Sequence, residues 1–292
     1  MELGNLFDKI NEKAEQGANI STDDYVGEDG LLVCGKCHTP KQCRINFLGQ
    51  EKTPFCLCKC EKEKHEAEDR ARKQAEETLA LVRRIRKNRE MAFPDVDPET
   101  PPEDDMRNWT FANDDNGRPE LSTAAKNYVE YFERFRREGK GLLLYGSVGT
   151  GKSFMAGCIA NALLDKGISV CMTSFGRIEN TVFGMRGDRQ DYYDSLNRYS
   201  LLILDDFGAE RSTEYMQEIV YNVIDSRSRA NLPLILTSNL TSDELKNPKG
   251  IMAQRIYSRI LQMCHPIRVD GDDRRKRKAV AGYAEMRKLL GI

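Results

Sequence analysis

"GSVGTGKS", Gly146 to Ser153, follows the apolar run "GLLLY", Gly141 to Tyr145, and precedes a helix-forming segment. The stretch matches G-x-x-x-x-G-K-[ST] in the strand–loop–helix setting that this pattern requires. Gly146, Gly149 and Gly151 free the backbone to turn its amides inward around a polyphosphate, aided by the positive end of the next helix. Ser147, Val148 and Thr150 complete that loop. Lys152 is placed to neutralise β- and γ-phosphates, and Ser153 to hold Mg2+. A chance glycine turn would not be expected to match all of this together with its flanks.

A nucleotide site of this kind needs a carboxylate at the end of a second strand. "LLILDD", Leu201 to Asp206, supplies four apolar residues suited to a central parallel strand and ends in two acids. Asp205 is the metal-side acid, and Asp206 would orient or activate the attacking water. "LPLILTSNL" is a further apolar run, and it brings Asn239 to the carboxyl edge of the sheet, where ligands sit in open α/β folds. "QRIYSRI" spaces Arg255 and Arg259 four apart, on one face of a helix. Such arginines are usually solvated, but one delivered by a neighbouring subunit can stabilise phosphoryl transfer. Upstream, Ser122 is expected to cap a helix running to about Arg137, with Tyr128, Val129, Phe132 and Phe135 near one face.

Taken in order, "GSVGTGKS", "LLILDDFGAE", "LILTSNL", "RIYSRI" and "VDGDDRRK" resemble the bacterial and phage DnaC/DnaI-type helicase loaders and their relatives, the IstB transposition ATPases. The resemblance covers roughly Trp109 to Lys278. It implies an α/β AAA+ P-loop core, a parallel sheet flanked by helices, self-associating into a ring or spiral with ATP at subunit boundaries. Carried over by motif, Lys152 and Ser153 are Walker A residues, Asp205 and Asp206 Walker B, Asn239 sensor 1 and Arg259 the arginine finger. The G-x-x-x-R register from Gly271 selects Arg275 as sensor 2, with Arg274 beside it as the alternative. Asp206 departs from the glutamate found at this position in many AAA+ proteins. The loader resemblance further implies a hexameric replicative helicase as partner and single-stranded DNA as ligand. The alternative within the same resemblance is an IstB-like transposition regulator. "FGMRGDRQDYYDSLNRY" offers Phe183, Arg186, Arg189, Tyr192 and Tyr193 for stacking and phosphate contact, while core packing is the plainer account of those aromatics.

Six of the nine cysteines fall between Cys34 and Cys60. The first residues, Met1 to Lys13, lack the basic-then-apolar order of a signal peptide, so a reducing, cytoplasmic setting is expected. Closely spaced cysteines there point to a metal rather than to disulfides. Cys34-x2-Cys37 reads as a zinc knuckle, with Cys58 and Cys60 supplying the other two thiolates and Cys56, Cys43 and His38 as alternates. Four cysteines leave no open position, so the Zn2+ would be structural. Cys158, Cys171 and Cys264 stand in apolar contexts and are expected in the core.

Composition shifts divide the chain. Residues 1–60 form a small zinc-binding module, which the loader resemblance makes a partner-docking module. Residues 61–108 hold a charged helix, Glu61 to Glu90, and the linker "FPDVDPETPPEDD". The four prolines of that linker favour an extended conformation. Residues 109–292 hold the ATPase domain. The 292 residues carry a net charge of -1, so any nucleic-acid contact must come from local patches such as Arg83 to Arg89 or Arg274 to Lys278. No apolar run approaches the roughly 20 residues needed to span a bilayer, and no membrane contact is expected.

Overall fold

The computed structural model describes residues 20–47, 49–97, 99–102, 104–115, 117–208, 213–274, 276, 283 and 286–292. The chain divides into two compact units, Met1–Ala80 and Leu81–Ile292.

The second unit is built on a parallel sheet of five strands. They are β5 (Gly141–Tyr145), β6 (Val170–Ser174), β7 (Leu201–Phe207), β8 (Leu234–Ser238) and β9 (Cys264–Arg268), in the order β6-β7-β8-β5-β9. β6, β7 and β8 are almost wholly buried, as apolar strands covered on both faces must be. One face packs on the helix Lys152–Asp165 and the helix Pro119–Glu130, through Met155, Ile159, Leu163, Tyr128 and Val129. The other face packs on the helices Phe175–Gly184, Arg189–Leu196, Glu214–Arg229 and Ile251–Met263, through Ile178, Leu196, Ile219, Val223 and Ile260. Cys158, Cys171 and Cys264 lie in these cores, as expected of small apolar side chains.

Arg227 is the largest charged group sealed in this unit, with no exposed surface. Its guanidinium donates to the carbonyls of Pro233, Leu196 and Tyr199 at 2.8–3.3 Å, which ties the chain ahead of β7 to the turn ahead of β8. Burial lowers its pKa to about 9.

Two local expectations are corrected. Ser122 does not cap its helix: the helix begins at Pro119 with Arg118 as N-cap, and the buried Ser122 hydroxyl donates to Asp114. Proline at the first helical position already supplies a preorganised start. The helix is also interrupted at Tyr131, and a short second helix spans Phe132–Arg137. The segment after Ala92 is irregular, as its prolines dictate, yet it is no free spacer. Phe93 is buried, Val96 packs on the core, and Asp95 accepts hydrogen bonds of 2.9 Å from Thr173 Oγ1, Ser174 Oγ and the Ser174 amide.

The first unit holds two small antiparallel hairpins, β1 (Tyr25–Val26) with β2 (Leu32–Val33) and β3 (Ile45–Phe47) with β4 (Gln50–Lys52). A helix spans Lys59–Ala92, two residues longer at each end than the charge pattern suggested, with exposed i,i+4 pairs such as Lys64 with Glu68 along it. Among the described residues no helix is long and apolar enough to cross a membrane.

Candidate nucleotide site and metal centre

The loop Gly146–Gly151 leaves the carboxyl end of β5 and enters the helix that starts at Lys152. Gly149 and Gly151 have φ of 74° and 93°, a region closed to most side chains. A Cβ on Gly149 would collide with the Asp273 carboxylate, and one on Gly151 would meet the Arg274 guanidinium. The loop is therefore glycine-rich both for its turn and because the chain after β9 lies against it. Thr150 Oγ1 donates to the Ser147 carbonyl at 2.9 Å, which braces the turn internally. Lys152 is 6% exposed, and its ammonium donates to the carbonyls of Gly146 and Ser147 at 3.0 and 2.7 Å. A buried cation is thus held against the loop by two of the loop's own carbonyls.

β8 separates β7 from β5, so the acids of β7 and the residue after β8 share one edge with the loop. The ladder between β7 and β8 shifts register between Leu204 and Phe207, and Asp206 adopts φ of 59°. That left-handed backbone is uncommon outside glycine and aims the side chain away from the regular strand direction. Thr237 holds the turn: its hydroxyl accepts the Asp206 amide at 2.9 Å and donates to the Asp205 carboxylate. Asn239 Nδ2 donates to Asp206 Oδ1 at 2.7 Å.

These groups line one cavity of about 790 Å³, which includes Val148 to Ser153, Asp205, Asp206, Thr237, Asn239 and Arg274. Opposite them stands a wall from the segment before the first core helix, with Asn108, Trp109, Asn113 and Asp115. Asn161 in the helix after the loop fixes that wall by donating to the carbonyls of Met106 and Trp109 at 2.8 and 2.9 Å. Gly157 lets the Trp109 ring lie flush on the helix, since a Cβ there would come within 2.5 Å of it. Sequence reasoning missed this wall and Thr237. The only signals were a lone tryptophan and a polar residue at a strand end.

Arg274 lines the cavity, donates its backbone amide to the Gly149 carbonyl at 2.9 Å and pairs with Asp115. Arg275, selected by the G-x-x-x-R register, lies outside the described residues. Arg259 does not line this chain's own cavity; it pairs with Asp225 and lies 5.0 Å from the centroid of the Tyr221 ring. In the segment between β6 and β7, Tyr193 is buried and Tyr192 packs on the same core, whereas Phe183 is 80% exposed. Arg186 is exposed, and the Arg189 guanidinium lies 5.5 Å from the Tyr215 ring centroid.

In the first unit, the Sγ atoms of Cys34, Cys37, Cys58 and Cys60 all lie within 4.8 Å of one another. The separations of 3.7 Å for Cys34–Cys60 and 3.3 Å for Cys58–Cys60 suit four sulfurs around a zinc ion. Bonds of about 2.3 Å in a tetrahedron put the sulfurs roughly 3.8 Å apart. The Thr39 hydroxyl, 3.1 Å from Cys37 Sγ, holds that thiol down at about 5, while burial pushes the Cys58 thiol up. Close by, the buried Lys41 ammonium pairs with Asp24 at 2.8 Å and with Glu61 at 3.6 Å. The alternates stand apart: Cys43 and Cys56 lie against the carbonyls of Pro54 and Pro40, and His38 Nδ1 pairs with the Tyr25 hydroxyl at 3.2 Å.

A P-loop, two acids on the apolar strand next but one to it and an asparagine after the strand between them define a nucleotide-binding protein of the AAA+ class, here on a five-stranded parallel sheet. The chain belongs to the IstB-like ATP binding protein family, whose model matches residues 105–281. It is 30% identical over 185 residues to the replicative helicase loader DnaI of Bacillus subtilis, covering 59% of this chain and 60% of that protein. It is 29% identical over 150 residues to an ATP-binding protein in an insertion sequence of Mycobacterium tuberculosis, covering 50% of this chain and 59% of that one. The replicative helicase loader DnaC of Escherichia coli is 25% identical over 161 residues, with 53% and 63% covered. The chain thus spans about three-fifths of the length of these curated relatives. A crystal structure of DnaI shares the fold at a TM-score of 0.50 and 24% identity, over 64% of this chain and 99% of that one.

Proposed function

We propose that the chain is an ATP-dependent helicase loader that docks on a hexameric replicative helicase and places it on single-stranded DNA. The observation that carries this reading is the similarity to a replicative helicase loader over 185 residues, beside a family match whose residues 105–281 hold the nucleotide site. Lys152 and the loop amides bind the phosphates, Ser153 and Asp205 hold Mg2+, Asp206 takes the proton of the attacking water and Asn239 positions it. Bound Mg2+ would neutralise charge on the phosphates. Arg259 is the finger for the nucleotide of a neighbouring copy in a ring or spiral, in keeping with its absence from its own cavity. Among the candidate DNA contacts, exposed Phe183 and Arg186 are favoured over the core residue Tyr193. The four clustered thiolates hold a structural zinc that folds the helicase-docking unit, and the charged helix after it extends that unit.

The test is binding of the purified full chain to the purified replicative hexamer of its host, followed by loading of that hexamer onto circular single-stranded DNA with ATP. Stable association and ATP-dependent loading are expected. Binding to a transposase with none to the hexamer overturns the loader reading. It would favour the second reading, an IstB-like transposition regulator, which the similarity to an insertion-sequence protein keeps in view. A nucleotide-dependent adaptor that scarcely hydrolyses ATP is excluded if steady-state turnover is ready and Asp206→Asn abolishes it.

A further inference from the structure

The helix Glu214–Arg229 presents Tyr221, Asp225 and Arg229 one turn apart, a single stripe on one face. Arg259 meets this stripe from the helix Ile251–Met263. The Asp225 carboxylate is divided between two cations: Oδ1 takes Nη1 of Arg259, and Oδ2 takes Nη1 of Arg229 at 3.1 Å. The Tyr221 ring supports the Arg259 guanidinium, centroid to Cζ 5.0 Å. Asp225 is nearly sealed, its side chain 12% exposed, whereas Arg259 is 32% exposed. One turn earlier, Arg255 is exposed and makes no hydrogen bond or ion pair among the described residues.

Three consequences follow from this arrangement. One carboxylate against two guanidiniums leaves the corner with a net positive charge, so the contact orients Arg259 without cancelling it. Only one Arg259 nitrogen is used, and its Nε and Nη2 make no hydrogen bond among the described residues. A guanidinium is a planar fork, so fixing one arm and one face fixes the direction of the remaining donors. An arginine on a long flexible stem would otherwise lose rotamer freedom when it engages a phosphate.

We propose that Asp225, with the Tyr221 ring beneath it, is the positioning residue for Arg259, holding the guanidinium aimed at the nucleotide of the neighbouring subunit. The proposal rests on Arg259 being the finger, as read above. Arg255 has no such support, and on this basis it does not take the finger's place.

The test uses steady-state ATP turnover of the full chain under assembling conditions, with ATP affinity and thermal unfolding measured alongside. Arg259→Ala is expected to lower kcat by about 10³-fold or more. Asp225→Ala is expected to lower kcat at least about 10-fold with KM for ATP within about twofold, and Asp225→Glu to recover part of the loss. In the double variant with Arg259→Ala, the Asp225 change should cost nothing further. Mixing supplies a readout that a merely structural role would not move. Asp225→Ala chains keep an intact pocket and Lys152→Ala chains keep an intact Arg259 corner, so mixed assemblies should turn over ATP faster than the sum of the two variants measured separately. If Asp225→Ala turns over like the wild type while Arg259→Ala does not, the proposal is overturned and the finger assignment stands. If Arg259→Ala keeps full turnover, both fall. A deficit in Asp225→Ala that mixing leaves untouched also overturns it, since the residue then serves its own pocket or the fold. None of these results bears on helicase association, which is read separately.

Discussion

Asn239 donates its amide to Asp206 at 2.7 Å, and Asp206 holds the left-handed backbone conformation, φ 59°, needed to receive it. The pair joins the end of the acid-bearing strand to the residue just past its neighbour, and Thr237 locks the same two strands through Asp205 and the Asp206 amide. Asp206→Asn should lower ATP turnover by roughly 10²- to 10⁴-fold, the range for loss of a general base. Nucleotide binding, followed by titration with a fluorescent ATP analogue, should be retained. A parallel loss of binding would reassign Asp206 to the ligand-holding groups.

Arg274 joins three parts of the nucleotide cavity: its amide bonds the Gly149 carbonyl, and its side chain packs against Gly151 and pairs with Asp115 on the opposite wall. Arg274→Ala should weaken ATP affinity about 10-fold, equivalent to about 1.4 kcal/mol. Arg275→Ala, measured in the same titration, tests the residue the sequence register selects. The larger loss identifies which of the two reaches the nucleotide.

Elemental analysis of the purified chain should find one zinc per chain. Cys34→Ser, Cys37→Ser, Cys58→Ser or Cys60→Ser should each abolish it, whereas Cys43→Ser and Cys56→Ser should leave it bound, since only the former four converge. Removing the metal with a strong chelator should unfold the first unit, whose hairpins have two and three residues per strand, and leave ATP binding intact.

Arg227→Ala removes the donor shared by the carbonyls of Leu196, Tyr199 and Pro233 and leaves them buried. Each unsatisfied group costs about 1–3 kcal/mol. The variant should lose about 3 kcal/mol or more in denaturant unfolding, with the midpoint falling and the slope unchanged.

The elements that were legible beforehand are those whose chemistry is local. "GSVGTGKS" carries its loop in its own glycines, "LLILDD" and "LPLILTSNL" mark central strands by unbroken apolar runs, and C-x2-C names a knuckle. Legibility failed where long-range packing overrode local signals. In "FPDVDPETPPEDD" two apolar residues among prolines and acids show no period, yet Phe93 and Val96 reach the core and Asp95 grips the end of β6. Ser122 has a capping residue's chemistry but is drawn inward by Asp114, which no sequence spacing announces. The choice of Cys58 and Cys60 over Cys56 depends on how the chain enters a helix at Lys59, a matter of geometry rather than spacing.

β9 ends the sheet, and it carries Pro266 at its centre, paired with Leu143 of β5. Proline is tolerated in a ladder only where its nitrogen faces away from the neighbour, so the outer border is the one that lacks a donor. His265 and Arg268 are exposed on the same strand and discourage a further strand from joining. Pairing of a further strand along β9 is therefore disfavoured, and a surface that covers this border would meet side chains, whose grip can be altered one residue at a time.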